Sequence, residues 1–144
     1  MDQGSFGLVV IDTNIVLDLL VFGDPASQAL HQALSDGSLQ WLATQPMRDE
    51  LQRVLGYPQI VPRLAYYQRT PEQVLARFDG WARQVAPAPR AAMVCKDPDD
   101  QKFIDLAVAH GALLVSKDQA VLRLAKRLLA AGVRAQPAFS PAAD

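Results

Sequence analysis

Short apolar runs alternate with segments of helical periodicity along most of the chain, and this alternation constrains the fold more than any other feature. The runs are rich in Val, Leu and Ile, as in strands that are buried on both faces of a sheet. Parallel strands need long crossover connections, which helices supply. The pattern therefore predicts an α/β fold, a three-layer α/β/α sandwich with a central, mostly parallel sheet of four or five strands. The predicted strands are residues 8–11, 39–43, 92–94, 113–116 and 133–136.

Cap residues, prolines and glycines mark the ends of the predicted helices. Asp24 precedes a proline at the start of one helix, Thr70 does the same for another, and Gly111 ends a third. A first helix is predicted to start near residue 14. Further helices are predicted over residues 25–34, 45–55, 71–85, 97–110 and 119–131, with a short helix or turn at 62–67. We expect one domain over residues 1–136 and a flexible C-terminal tail over 137–144, which is rich in Ala and Pro.

Composition narrows the class of protein. Half of the 144 residues are hydrophobic, which is enough for one core, and the formal net charge is −1. Binding to nucleic acid therefore requires that basic residues gather on one face. The single cysteine, Cys95, cannot form an intrachain disulfide, and neither a signal peptide nor a membrane span is predicted. These features favour a cytoplasmic protein.

Two acidic residues directly follow predicted strands. Asp12 follows the first strand, and Asp118 comes just after the strand at 113–116. In open parallel sheets ligands bind beyond the carboxyl ends of the strands, so both side chains are predicted to lie at the ligand-binding edge. Each has an ordinary alternative as the cap of the helix that follows it. Neither residue alone decides between the two roles.

Two further carboxylates border apolar helix faces. Asp100 shares a predicted helix face with Phe103, which turns it toward the sheet end and away from bulk water. Its alternative role is to complement the helix dipole, with Asp97 as the cap. Glu50 borders the apolar stripe of the helix at 45–55, and its alternative is an ordinary solvated glutamate.

The four carboxylates together indicate a metal site. Acids that converge at one edge of a sheet repel one another, which destabilises the fold unless a cation neutralises them. Hard cations such as Mg²⁺ and Mn²⁺ prefer oxygen ligands and can activate water for phosphodiester hydrolysis. We therefore expect a Mg²⁺- or Mn²⁺-dependent hydrolase. Asp12, Asp100 and Asp118 are the expected ligands, and Glu50 is expected to position the ion or orient the water.

In order and spacing these residues resemble the PIN-domain family, and the likeness covers residues 8–136. It is carried by VIDTN at 10–14, by Glu50, Leu51, Val54, Leu55, Tyr57 and Pro58, by DPDD at 97–100 with Phe103, by HGA at 110–112 and by LVSKD at 114–118. The resemblance implies a PIN-like doubly wound sheet, a divalent-metal site and ribonuclease activity on single-stranded RNA. The residues it implies are the acidic cluster Asp12, Glu50, Asp100 and Asp118, with Asn14 and Ser116 as polar helpers, to which we add Asp97.

The middle segment resembles a branch of the family described as toxins of toxin–antitoxin pairs, the VapC-like ribonucleases. Membership of that branch implies a small antitoxin partner that covers the site, and often a homodimer. The chain departs from the family at Ala120, where many members carry a second acid. Asp118 is then the sole acid of its segment, which is compatible with a weaker or one-metal site.

The basic and aromatic residues are compatible with two roles, an ordinary structural one and contact with RNA. Lys117, Arg123, Lys126 and Arg127 lie near Asp118 and form either a solvated surface or contacts to the RNA backbone. The tyrosines and tryptophans can stack on bases, but packing in the core or an interface is the more ordinary role. On the helix of Asp100, Gln101 and Asp105 are placed on the more polar face.

Two other functions stay open at this stage. One is a non-catalytic module that binds RNA or protein on the same fold. The other is a small phosphohydrolase with Asp12 as covalent nucleophile, although such enzymes usually carry a second aspartate two residues later, where this chain has Asn14.

Overall fold

The computed structural model describes residues 7–140, and a parallel sheet of five strands lies at the centre of this region. The strand order is β3-β2-β1-β4-β5. The chain thus moves outward from β1 to β3 and then returns to the other side of β1. This reversal lies between β1 and β4, where doubly wound sheets form their ligand crevice. The strands are β1 (Gly7–Ile11), β2 (Leu39–Ala43), β3 (Ala82–Gln84), β4 (Leu113–Val115) and β5 (Ala135–Gln136).

Helices connect the strands and cover both faces of the sheet, because right-handed crossovers place the two halves of the chain on opposite sides. None of the described helices is long and apolar enough to cross a membrane. Short 3₁₀ turns at Pro25–Ser27 and Pro98–Asp100 lead into two of them, and α1 continues as a π-helical segment, Asp18–Phe22. The α-helices are α1 (Thr13–Leu17), α2 (Gln28–Ser35), α3 (Gln45–Leu55), α4 (Val61–Tyr66), α5 (Pro71–Trp81), α6 (Gln101–His110), α7 (Gln119–Leu122) and α8 (Ala125–Ala130).

The two central strands are buried on both faces and set the geometry of the site. Val10 pairs with Leu114, and Ile11 pairs with Val115, in parallel register. All four side chains are buried. The backbone N–H of Asp12 extends the ladder by donating to the Val115 carbonyl at 3.0 Å. This register brings the residues that follow β1 and β4 side by side at the carboxyl end of the sheet.

The structure confirms the predicted α/β/α sandwich and corrects two of its elements. The helix predicted to reach residue 85 ends at Trp81, and residues 82–84 form β3 beside β2. This strand was missed because it is a short edge strand with two exposed polar side chains, which gives it no apolar pattern. Residues 92–94, predicted as a strand, instead form a bend whose Met93 is buried against the core.

The C-terminal region also differs from expectation. The single helix predicted over 119–131 is broken at Arg123 and Leu124, where the Leu124 N–H donates to the carbonyl three residues back at 2.9 Å. Of the tail expected over 137–144, residues 141–144 lie outside the described part of the chain. Phe139 packs against the core, so ordered packing continues beyond residue 136.

Candidate metal centre

Asp12 lies at the carboxyl end of β1 with its side chain buried. The Ser116 hydroxyl donates to its Oδ2 at 2.6 Å. Asp12 occupies the N-cap position of α1, but its side chain makes no capping hydrogen bond there. The ordinary cap role is therefore not what holds this carboxylate in a buried place. Ser116 is fixed in turn, because its hydroxyl accepts from the Asp118 N–H at 3.1 Å.

Asp118 follows β4 and has a partly structural role. Its Oδ1 accepts from the Ala120 N–H at 2.8 Å, which caps α7. One carboxylate oxygen remains outside this cap hydrogen bond. The cap role considered for Asp118 is therefore observed, and it leaves the second carboxylate oxygen available for a ligand.

Asp100 ends the 3₁₀ turn that leads into α6, and its side chain is buried. Its Oδ2 has no hydrogen-bond partner among the described residues. A buried oxygen without a partner costs free energy unless something binds it. The neighbouring Asp97 instead performs the capping role, since its side chain accepts from the Asp99 N–H at 3.0 Å. This division of roles leaves Asp100 available as a ligand.

The three aspartates converge on one point. Each of Asp12, Asp100 and Asp118 offers a carboxylate oxygen, and these oxygens lie within 4.8 Å of one another. Burial raises the pKa of Asp100 to about 8, and the nearby charges of Asp12 and Asp118 add to the rise. Burial also raises the pKa of Asp12, against the hydrogen bond from Ser116. An all-oxygen set with one unpartnered buried oxygen fits a hard divalent cation.

Glu50 faces the same cavity from α3, at the edge of the aspartate cluster. Glu50 is not one of the three residues whose oxygens meet, and it pairs with Lys102 of α6. Lys102 also donates to the Asp99 carbonyl at 2.6 Å. Glu50 is thus held at the wall of the cavity by a cation that the sequence did not single out.

The cavity is an open pocket of about 260 Å³ at the carboxyl end of the sheet. Asn14 and Asp97, both predicted to lie near the cluster, are among its lining residues. Sequence reasoning did not place Asp99 and Gln59 here, and no spacing rule would have separated them from neighbouring surface residues. The full lining is Asp12, Thr13, Asn14, Glu50, Val54, Tyr57, Gln59, Ile60, Asp97, Asp99, Asp100 and Asp118.

The basic residues predicted beside Asp118 do not line this cavity. Lys117 pairs with Asp18 of the π-helical segment, at 2.6 Å between Nζ and Oδ2. Arg123 and Arg127 are exposed on the chain that follows. The structure therefore does not bring these three cations to the acidic cluster.

A buried polar network supports the loop before the cluster, which corrects the placement of Gln101 on a polar face. Gln101 is buried, accepts from the Cys95 N–H at 2.6 Å, and donates to the Met93 carbonyl at 3.1 Å. It also donates to Asp105 at 2.8 Å, and Asp105 accepts from the Ala91 N–H. These hydrogen bonds hold the backbone in the region where a strand at 92–94 was predicted.

Comparisons with known proteins fit this geometry. The family model described as PIN domain matches residues 8–120. No curated protein sequence matches the chain. Among solved structures, the fold is similar to that in the crystal structure of VapBC2 from Rickettsia felis bound to a DNA fragment from their promoter. The TM-score is 0.57 at 14% identity, over 89% of this chain and 98% of that chain.

Proposed function

The chain belongs to the PIN-domain family, and from this premise we propose that it is a metal-dependent endoribonuclease that hydrolyses phosphodiester bonds in single-stranded RNA. The observation that carries the proposal is the convergence of the Asp12, Asp100 and Asp118 oxygens within 4.8 Å, with a buried Asp100 oxygen left unpartnered. Such a cluster serves no structural purpose that a neutral set of side chains would not serve better.

We assign Mg²⁺ or Mn²⁺ as the cofactor, held by Asp12, Asp100 and Asp118. When bound, the ion would supply a water of lowered pKa and stabilise charge on the phosphate. Ser116 orients Asp12 through its 2.6 Å hydrogen bond. Glu50, restrained by Lys102, lies where it can orient the attacking water from the cavity wall. Asn14, exposed at the rim, is suited to contact the substrate.

A second part of the proposal concerns partners. We propose that the protein is the toxin of a toxin–antitoxin pair, that a small antitoxin covers the cavity, and that the toxin forms a homodimer in the cytoplasm. The support is the resemblance of the middle segment to the VapC-like branch and a fold similar to that in the VapBC2 structure. The open, acid-lined cavity is a surface that an antitoxin could close.

Cleavage of a labelled single-stranded RNA with and without Mn²⁺ tests the activity. We expect Asp12→Asn to lower the cleavage rate by about 100-fold or more, because it removes a ligand charge while keeping the side-chain shape. Asp79→Asn is the matched control, since Asp79 lies outside the cavity in an exposed pair with Arg48. Both variants should give wild-type circular dichroism spectra.

Three results would contradict the proposal. Equal cleavage by folded Asp12→Asn would remove this residue from catalysis. Binding of Mn²⁺ and RNA by wild type without cleavage would favour a non-catalytic binding module. Trapping of a phosphoenzyme on Asp12 would favour the phosphohydrolase alternative.

A further inference from the structure

A basic and aromatic segment of the chain continues from the acidic cavity. Residues 51–71 contain three arginines and three tyrosines but neither Asp nor Glu, in a chain that has 15 acidic residues. The segment lies between Glu50 and Glu72. The members that matter here are Arg53, Tyr57, Arg63, Tyr66, Tyr67 and Arg69.

The tyrosines of this segment are exposed yet ordered by ring contacts. Tyr66 is 80% exposed, and Tyr57 and Tyr67 are 41% and 39% exposed. The ring of Tyr67 lies 5.0 Å from that of Tyr66 and 5.5 Å from that of Phe22. Arg63 stacks over Phe22 at 3.7 Å from the ring centroid. These contacts hold the rings in place without covering Tyr66.

The segment includes residues of the cavity wall and continues into α4. Tyr57 and Ile60 line the cavity, and α4 starts at the next residue. Tyr66 ends α4, about 9 Å farther along the helix axis at 1.5 Å per residue. The rings of Tyr66 and Tyr67 therefore lie one short helix along the chain from residues of the cavity wall.

The three arginines of the segment are exposed. In the described part of the chain, the ion pairs use Arg48, Lys102 and Lys117, and none involves Arg53, Arg63 or Arg69. An acid-lined cavity repels a polyanion, so cations at its border are needed to bring RNA to it. The chain over 112–136 carries Arg123, Lys126 and Arg127 but no aromatic residue on which a base could stack.

We propose that this basic–aromatic segment, residues 51–71, is the binding surface for single-stranded RNA, which rests on the proposed function. Tyr66 and Tyr67 stack on bases, and Arg63 and Arg69 contact phosphates of the strand where it leaves the cavity. Aromatic stacking with backbone contacts is the usual way to bind single strands without reading the sequence. The RNA therefore runs along α4 and not along α7 and α8.

Fluorescence anisotropy with a labelled oligouridylate tests this path in EDTA, where no cleavage occurs. We expect Tyr66→Ala to weaken binding about tenfold and Tyr66→Phe to leave it unchanged, because the ring is what stacks. Arg69→Gln should weaken binding and reduce the salt slope by about one ion. Leu129→Ala and Arg127→Gln are the matched controls, since both residues are exposed on α8. Neither control should change binding.

Other outcomes separate the two proposals. Unchanged binding by Tyr66→Ala, or weaker binding by Arg127→Gln alone, would overturn the α4 path while leaving the nuclease intact. A change of oligomeric state with unchanged RNA binding would make the segment a protein interface and also overturn it. RNA binding that depends on Tyr66 in a wild type that never cleaves would support the path and refute the nuclease. A wild type that neither binds nor cleaves RNA refutes both.

Discussion

Two sets of charged side chains in this protein behave in opposite ways. At the carboxyl end of the sheet, Asp12 and Asp100 are buried next to like charge, and burial raises the pKa of both. Between α3 and α5, Arg48 donates two hydrogen bonds to Asp79 at 2.7 and 2.8 Å, and these lower the pKa of Asp79. The aspartate cluster therefore lowers the stability of the metal-free fold, whereas the Arg48–Asp79 pair raises it slightly.

The difference supports the proposal that the aspartate cluster is held for function. The Arg48–Asp79 pair is exposed and compensated within itself, so its absence would change little else. The aspartate cluster is held together by the pairing of β1 with β4 and by the Ser116 hydroxyl, against its own repulsion. Packing that maintains an unfavourable charge arrangement indicates that a ligand of opposite charge completes it.

The largest expected effect is at Asp100. Asp100→Asn should abolish Mn²⁺-dependent cleavage, because it removes the oxygen charge that has no protein partner. Its melting temperature should also stop rising with added Mn²⁺, whereas that of wild type rises as ligand binding stabilises the folded state. Asp79→Asn, outside the cavity, is the control and should keep the metal response. If the melting temperature of Asp100→Asn rose with Mn²⁺ as much as that of wild type, the aspartate cluster would not differ from the exposed pair in binding a cation.

A smaller effect is expected at Ser116. Ser116→Ala removes the hydrogen bond to Asp12 and leaves all three carboxylates in place. We expect Mn²⁺ affinity to fall by about tenfold, as for other groups that orient metal ligands. The melting temperature measured at increasing Mn²⁺ concentrations gives this affinity. Unchanged affinity would mean that strand pairing alone orients Asp12.

The pH dependence of metal-free stability separates the two sets directly. The pKa of Asp100 is about 8 in the folded protein and 3.8 by reference, so the folded state binds more protons than the unfolded state between these values. Stability without metal should therefore fall as pH rises from about 5 to 8. The stability of Asp100→Asn should decrease less with rising pH than that of wild type, and it should exceed the stability of wild type at about pH 8. Urea denaturation in EDTA measures both, and a stability that rises over this range would contradict the assignment.

The smallest effect is expected at the exposed pair. Asp79→Asn should lower the free energy of unfolding by about 0.5 kcal/mol at neutral pH and low salt. The pKa of Asp79 is lower in the folded protein than in the unfolded chain. The pair therefore contributes its full stability above the pKa of the unfolded chain, and this contribution is lost as the pH falls through the pKa of the folded protein. Urea denaturation at pH 7 and at acid pH measures the loss. A cost above about 2 kcal/mol would show that this pair is not a simple surface interaction.

The sequence predicts the centre of the fold better than its edges. Strands β1, β2 and β4 are apolar runs because neighbours cover both of their faces, so the pattern marks them. Strand β3 has exposed Arg83 and Gln84 and is defined by pairing with β2, which no local pattern reveals. Helix α7 likewise ends early through a local hydrogen bond that propensity does not encode.

The same distinction applies to the site. Asp12 and Asp118 follow strands, and helical spacing separates Asp100 from Asp99, so these positions follow from the sequence. The pairing of Glu50 with Lys102 joins two helices that are distant in sequence, and only the tertiary fold shows it. The buried role of Gln101 also depends on a loop whose path the sequence does not predict. The sequence predicts candidate RNA-binding cations beside Asp118, and the pairing of one of them, Lys117, with Asp18 is again visible only in the tertiary fold.

Calorimetric titration of metal-free protein with Mn²⁺ at pH 7 tests the central claim most directly, since it asks whether the three aspartates form one cation site. Wild type should show saturable binding with release of a proton to the buffer, because the pKa of Asp100 lies near 8 before the metal binds. Asp100→Asn should show no such binding. An absence of heat with wild type up to millimolar Mn²⁺, or equal binding by the variant, would contradict the account.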